Sequence, residues 1–356
     1  MKKNEKEIKN NKIIKEVDKY TNTKINKKSG VSVIKIIISV IIILIIMVFI
    51  GGGYILWSKW SLMKHKELNE TDLAVNANIE KLVSDDIEKS EIKGVRSVAL
   101  FGTDSRDSSD MNAGRTDSIM VVSINPSNKS IKLISIPRDT YVDIPGHGKD
   151  KINHAYAYGE EQLALKTINK NFGLNIVDYA TIDFSGLINI INDIGGVEVE
   201  ISKEEMIYIN GRNYEEYKLS GNKPEKITNY GKVLLTGEQA LAHSRNRTVG
   251  NDFKRATRQR DVLQALINKL SNEGITKILS ISDEFFTQIR TNLSIVDYMQ
   301  CLTSVMFNKD TYMKNIVSVQ IPSNDYSEGK MIRGVYYYAT DINKAKKEFI
   351  KYIYEK

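Results

Sequence analysis

For 21 residues, from Ile36 to Leu56, the chain carries no charge and little but branched aliphatic side chains. As a helix, a stretch of that length rises about 30 Å, the thickness of a bilayer's hydrocarbon core. A core helix of a water-soluble domain keeps a polar face, and this segment has none. It is too long for the apolar core of a signal peptide, so it reads as an uncleaved anchor. Trp57 and Trp60 follow at once, where aromatic side chains favour the interface. Residues 1–35 hold 11 Lys against four acids, Glu5, Glu7, Glu16 and Asp18. Positive charge before a span marks the cytoplasmic side. The expected layout is therefore a basic, disordered cytoplasmic tail over residues 1–34 and a transmembrane helix over 35–57. A juxtamembrane helix or linker follows over 58–93, then an extracellular domain over 94–356. The chain would sit in the cell membrane as a single-pass protein with the lipid bilayer as one partner.

The formal charge of +7 resides in that tail, and the remainder balances 40 basic against 40 acidic residues. A neutral domain lacks the broad positive field that duplex binding needs, so nucleic acid is not an expected partner. Cys301 is the only cysteine, which excludes an intrachain disulfide and a thiolate zinc site. With four His and no H-E-x-x-H, His154 and His243 read as satisfied polar residues. Neither a phosphate-binding G-x-x-x-x-G-K-[ST] loop nor a G-x-S-x-G nucleophile elbow occurs.

Beyond residue 94 the periodicity alternates between strand and helix. Val95 to Phe101 is a buried-strand pattern. Ser118 to Ile124 and Ser130 to Ile136 flank the turn signal Asn125-Pro126-Ser127-Asn128-Lys129 and predict a hairpin. Glu160 to Asn171 reads as a helix, Ile176 to Ile182 as a strand, and Ser185 to Ile194 as a helix ended by Gly195. Val197 to Ile201 is a further strand, and residues 203–231 read as a loop-rich excursion. Thr236-Gly237-Glu238-Gln239 is a capping-box start for a helix to about His243. Asp252 caps a longer one to Leu270. Strand Ile316 to Ile321 and a helix near Asp341 to Tyr354 close the chain. This alternation predicts an α/β fold, a three-layer α-β-α sandwich on a mixed central sheet, preceded by one transmembrane helix.

Arginine is distributed unevenly. Eight of 12 fall in four short segments: 102–106, 114–117, 137–139 and 245–260. The guanidinium fork matches phosphate oxygens, whereas Lys supplies a mobile point charge. Arg106, Arg115, Arg138, Arg245, Arg247, Arg255 and Arg258 thus become candidates for gripping a multi-oxygen anion. Arg255, Arg258 and Gln259 share one side of their helix at i, i+3 and i+4. Asp104 and Asp117 lie at strand ends, where ligands gather in α/β sheets. Two carboxylates there suit Mg²⁺, which takes one or two protein carboxylates and leaves positions for phosphate oxygens. Taken singly, each Asp is better explained by an Asx-turn or an Asp–Arg pair. Leu187, Ile188, Ile191 and Ile194 form an apolar stripe suited to a lipid groove or, more simply, to core packing.

LFGTDSR, GRTDSIMVVSINPSNKSIKLISIPRDTYV, KINHAYAYG, NDIGGVEVEI, LTGEQALAHSRNR and DFKRATRQRDVL occur in this order over residues 95–270. The ordered series resembles the LytR–CpsA–Psr family of bacterial cell-wall enzymes. The resemblance implies a phosphotransferase that moves a glycopolymer, such as teichoic acid or capsule, from a polyprenyl-pyrophosphate carrier to peptidoglycan, usually the muramic acid 6-hydroxyl. Polyprenyl phosphate leaves. By position, Asp104 and Asp117 resemble the family's Mg²⁺ ligands, with Mn²⁺ as the alternative ion. Arg106, Arg115, Arg138, Arg245, Arg247, Arg255, Arg258 and Gln259 form the implied pyrophosphate-binding set, and Asp252 matches a further motif position. Arg138, Arg247, Asp104 and Asp139 are the implied catalytic groups, and either Asp104 or Asp139 serves as the base. Residues 203–231 match no part of the series. A pyrophosphatase acting on the same carrier and a non-catalytic membrane-bound regulator are the competing readings.

Overall fold

The computed structural model describes residues 53–83, 92, 94–103, 116–221, 224–249, 252–273 and 280–355. Two compact units divide the chain, Met1–Ile55 and Leu56–Lys356, and the second carries the fold. The expected span over 35–57 and the tail over 1–34 lie almost wholly outside the described residues. Among those described, no helix is long and apolar enough to cross a membrane.

The first strands are β1 (Lys64–His65), β2 (Arg96–Thr103), β3 (Thr116–Asn125), β4 (Ser130–Ser135), β5 (Tyr141–Ile144) and β6 (Gly148–Lys151). Then come α1 (His154–Phe172), β7 (Asp178–Asp183), α2 (Phe184–Asp193), β8 (Val197–Ile201), α3 (Lys203–Ser220), β9 (Gly231–Leu235), α4 (Gly237–Arg245) and α5 (Asp252–Glu273). The C-terminal part holds α6 (Asp283–Thr287), β10 (Ile289–Thr291), α7 (Ile295–Phe307), α8 (Lys309–Lys314), β11 (Ile316–Gln320), β12 (Ser327–Ile332), β13 (Val335–Thr340) and α9 (Ile342–Tyr354).

Seven strands form the central sheet in the order β1-β10-β7-β2-β3-β4-β11. The pairs β1·β10, β7·β2 and β4·β11 are parallel and the other three antiparallel, so the sheet is mixed. The expected hairpin is the β3–β4 pair. Strand alternation sorts side chains onto two faces. Phe101, Ile119, Val121 and Ile134 face α1 and α9, where Tyr156, Leu165, Phe172 and Phe349 complete one core. On the other side α2, α4 and α5 supply Ile191, Ala240, Val262 and Leu266 to a second core. Ile188 packs with Phe184 and Leu241 beside it, so most of the 187–194 stripe is core, as its simpler reading had it.

Local sequence explains the helix ends. Thr236 accepts from the Gln239 amide while Gln239 reaches back to the Thr236 N–H at 3.0 Å, a complete capping box. Asp183 and Asp341 cap α2 and α9 in the same acceptor role.

Two expectations change. Residues 203–220 are helical rather than loop-rich. The start of this helix is a Ser202–Glu205 capping box, in which each backbone N–H donates to the other residue's side chain. Beyond it Asn, Gly and Tyr give weak helix propensity and no clear apolar stripe, and tertiary contacts hold the helix. Ile209 is buried in the second core, and the Asn210 side chain makes two 2.9 Å hydrogen bonds to the backbone of Ile227. Strand β8 forms where expected and, among the described residues, pairs with β9 in a separate two-stranded sheet. The described part of the 58–93 spacer belongs to the domain: β1 extends the sheet, and Leu73, Ile79 and Val83 lie in the first core. Trp60 donates its indole N–H to the Leu293 carbonyl at 3.0 Å.

Candidate active site

Strands β2 and β3 pair residue for residue until Gly102, which sits opposite Ser118; the next pair is Thr103 with Thr116. Asp117 is therefore an extra residue, a β-bulge of the kind that re-aims a side chain near a functional site. Its carboxylate meets three guanidiniums. Arg138 Nη1 is 2.6 Å from Oδ1, while Arg255 Nη2 and Arg247 Nη2 are 3.1 and 3.7 Å from Oδ2. Arg255 also donates to the Asp117 carbonyl oxygen at 3.0 Å, and Gln259 approaches that oxygen at 3.5 Å.

Four elements supply these groups. Pro137 ends the ladder of β4 and puts Arg138 at its edge. Arg255 and Gln259 lie one turn apart near the start of α5. Arg245 is the last residue of α4, and Arg247 follows it through extended Asn246. The Arg245 guanidinium stands 4.8 Å over the Phe184 ring. Burial pushes the Asp117 carboxyl up, but Arg255, Arg138 and Arg247 together hold it below the usual carboxylate range. Asp117 is the described carboxylate that three of the guanidiniums share, and a convergence of planar guanidinium donors suits a multi-oxygen anion.

Beneath the cluster lies an apolar cavity of about 250 Å³ between the sheet and helices α2, α4 and α5. Its floor is the sheet face opposite α1. Ala180, Leu100 and Met120 form one cross-strand row, and Ile182, Gly102 and Ser118 form the next. Three of the six side chains are small, which leaves the space. A Cβ on Gly102 would stand 3.0 Å from that of Ser118. Leu187, Ile190, Val262, Leu266 and Phe285 line the helical side. Asp117, Arg245, Arg255 and Gln259 border the same cavity, so its polar boundary is the guanidinium cluster.

Arg138, Arg245, Arg247, Arg255, Gln259 and Asp117 are thus brought together. Arg258 is placed elsewhere. It is buried, with Nε 2.5 Å from Glu205, Nη1 2.9 Å from the Asn246 carbonyl, and Nη2 on the Val249 carbonyl. A guanidinium so occupied ties α3 and the 246–249 loop to α5. Asp139 borders the cluster, 2.6 Å from Lys151 and 3.4 Å from Arg138 Nε. Asp104, Arg106, Arg115 and the side chain of Asp252 lie outside the described residues. Sequence reasoning missed Arg212 and Tyr208 of α3, which line a recess with Arg245 and Arg247. Their signal was obscured by reading 203–231 as a loop; as a helix, Glu205, Tyr208 and Arg212 share one stripe.

His154 is paired, its Nδ1 2.8 Å from Asp150. His243 differs from its expected reading: it is buried with neither ring nitrogen hydrogen-bonded among the described residues. Burial lowers its pKa from 6.5 to about 4, with Arg258 adding to the fall and Glu205 opposing it. The unfolded chain takes up this proton near 6.5 and the folded chain only near 4, so folding loses stability as pH drops through that window. The loss is up to about 3 kcal/mol and levels off below it. Urea unfolding of His243→Phe should show a smaller decline between those pH values than the parent chain; equal declines would refute the assignment.

Among the described residues no three metal-ligating side chains gather. Asp117 is the described carboxylate at the point where the guanidiniums converge. A single carboxylate completed by phosphate oxygens is an ordinary Mg²⁺ donor set, so the residue fits that ion.

An apolar cavity bounded by converging guanidiniums defines a protein that holds an oxyanion carried on a lipid. The chain belongs to the LytR_cpsA_psr family, which matches it over residues 61–352. It is 33% identical over 297 residues to the polyisoprenyl-teichoic acid–peptidoglycan teichoic acid transferase TagU of Bacillus mycoides, spanning 82% of this chain and 88% of the relative. TagT of Bacillus subtilis, with the same activity in its name, is 31% identical over 72% of this chain and 74% of its own length. Among solved structures, YwtF (TagT) with bound octaprenyl pyrophosphate lipid superposes with a TM-score of 0.54 at 28% identity, over 74% of this chain and 91% of that one.

Proposed function

We propose that this chain is a phosphotransferase that moves a glycopolymer from a polyprenyl-diphosphate carrier to peptidoglycan, at the muramic acid 6-hydroxyl, and releases polyprenyl phosphate. The observation that carries the reading is the contiguity of the apolar cavity with the guanidinium cluster. A polyprenyl tail needs the first and a diphosphate needs the second. Relatives at about one-third identity bear the name of this transfer for teichoic acid, and a related structure holds octaprenyl pyrophosphate.

Arg138, Arg245, Arg247 and Arg255 bind the diphosphate and offset the charge that builds on its oxygens during displacement. The acceptor oxygen bonds to the sugar-side phosphorus as the bond from that phosphorus to the bridging oxygen breaks. The electron pair leaves with polyprenyl phosphate, a stable anion that needs no strong acid. The hydroxyl proton passes to a carboxylate, Asp139 or Asp104. Charged hydrogen bonds contribute on the order of 1.5–3 kcal/mol each, so several suffice for much of a barrier reduction of about 8 kcal/mol. Only the part that grows in the transition state accelerates the reaction. Asp117, with Asp104 as the family resemblance implies, would hold Mg²⁺, which would supply further charge neutralisation at the phosphate oxygens. The apolar span at 36–56 and its lysine-rich flank support a single-pass protein with this domain outside the cell.

The test is the product. Ectodomain mixed with polyprenyl-diphosphoryl glycan, Mg²⁺ and a peptidoglycan oligomer should yield a glycan–muramoyl phosphodiester by mass spectrometry. Release of free phosphoglycan alone would replace transfer with hydrolysis.

A further inference from the structure

Two further recesses meet the apolar cavity at Asp117 and Arg255, residues common to all three. The transfer proposed above, on which the following rests, has three bodies to place around one phosphorus: the prenyl tail, the donor sugar and the acceptor. The cavity takes the tail. The two recesses differ in chemistry. One is lined by Arg138, Asp139, Gln259, Tyr336 and Tyr338. It alone offers a second described carboxylate, Asp139, steadied by Lys151 at 2.6 Å. The other, about 240 Å³, is lined by Tyr208, Arg212, Arg245, Arg247 and Thr248 besides the shared pair. It offers guanidinium donors and an aromatic ring, and no described group beyond Asp117 to accept a proton.

An attacking hydroxyl must surrender its proton, so the recess with Asp139 suits the acceptor. The donor sugar then occupies the other. We propose that Tyr208 and Arg212 form its subsite, contacting the first sugar beyond the diphosphate. Arg212 Nε donates to the Tyr208 hydroxyl at 3.3 Å, and its guanidinium stands 5.7 Å from the centre of the Tyr208 ring. A tyrosine ring gives a sugar a flat apolar face, and guanidinium N–H groups suit its hydroxyl and carbonyl oxygens. The pair is held in place by the same stripe of α3. Glu205, one turn before Tyr208, is gripped by Arg258, which also holds the carbonyls of Asn246 and Val249 on either side of Arg247. One buried guanidinium thereby fixes both walls of the recess.

The experiment compares two lipids. Binding of a short polyprenyl diphosphate, and of the same lipid bearing a disaccharide, is measured for the parent ectodomain, Arg212→Ala and Tyr208→Phe, together with KM for acceptor oligomer. Arg212→Ala should bind the sugar-free lipid within about twofold of the parent and the glycosylated lipid about tenfold more weakly, the loss of one charged hydrogen bond. Tyr208→Phe should show a smaller loss in the same direction. Acceptor KM should stay unchanged in both and rise in Tyr336→Ala. Equal losses on the two lipids would place Arg212 on the diphosphate or in the fold and overturn the subsite. A rise in acceptor KM with donor binding intact would exchange the two recesses and also overturn it. Failure of the parent ectodomain to bind either lipid would instead overturn the transferase reading beneath it.

Discussion

Arg138→Ala should lower the rate of transfer roughly a thousandfold or more while leaving the domain folded. Arginines that stabilise phosphoryl transfer are worth about 10³–10⁵ in rate. Arg138 is well placed for that role: it lies at the end of β4, bonds Asp117 at 2.6 Å, and lines the recess that holds Asp139. Its removal takes away the shortest ion-pair contact to a mostly buried carboxylate, leaving Arg255 and Arg247 as partners. Arg138→Lys should recover little, because a point charge cannot reproduce two directed donors. The measurement is single-turnover transfer at saturating donor, beside a circular-dichroism melt. A decline under tenfold with an unchanged melt would remove Arg138 from the reacting centre.

Ala180→Leu should separate activity from stability. The side chain of Ala180 lies in the cross-strand row under the cavity, beside Leu100. Extra methylenes there fill space rather than displace packed atoms, and each buried one is worth about 0.8 kcal/mol. The thermal midpoint should therefore hold or rise. A prenyl chain loses that volume, and affinity for a polyprenyl-diphosphate donor should fall tenfold or more, whereas inorganic diphosphate should bind as before. A variant that melts lower and keeps its donor affinity would show that the tail lies elsewhere.

Much of the fold was legible because its elements carry local signals. The β3–β4 hairpin was marked by its turn residues and α4 by a capping box, and both formed where those signals lie. Helix α3 has a start signal too, the reciprocal Ser202–Glu205 capping box, but no apolar stripe to mark its body, which is held by Ile209, Asn210 and the Glu205–Arg258 pair. Strand β1 was hidden for a similar reason, since two residues gain strand character only through pairing with β10, more than 200 residues later in the chain. At the site, the i, i+4 spacing anticipated Arg255 and Gln259 together. It could not separate Arg258, which the same arithmetic puts on that side of the helix, because the Glu205 that redirects it comes from a distant segment. Nor does spacing reveal a β-bulge, so the orientation of Asp117 had to come from the β2–β3 register.

The order of the central sheet governs which fragments of the chain can exist by themselves. The ordered motifs stop at residue 270, yet β7 and β4 receive their outer neighbours, β10 and β11, from residues 289–291 and 316–320. A truncation after the last motif would present two bare strand edges and uncover Ile131 and Leu133, which Tyr312 shields. Such a fragment would aggregate however complete its arginines. During synthesis, the half that carries the motifs must wait as an unfinished sheet until the last quarter of the chain arrives to close it.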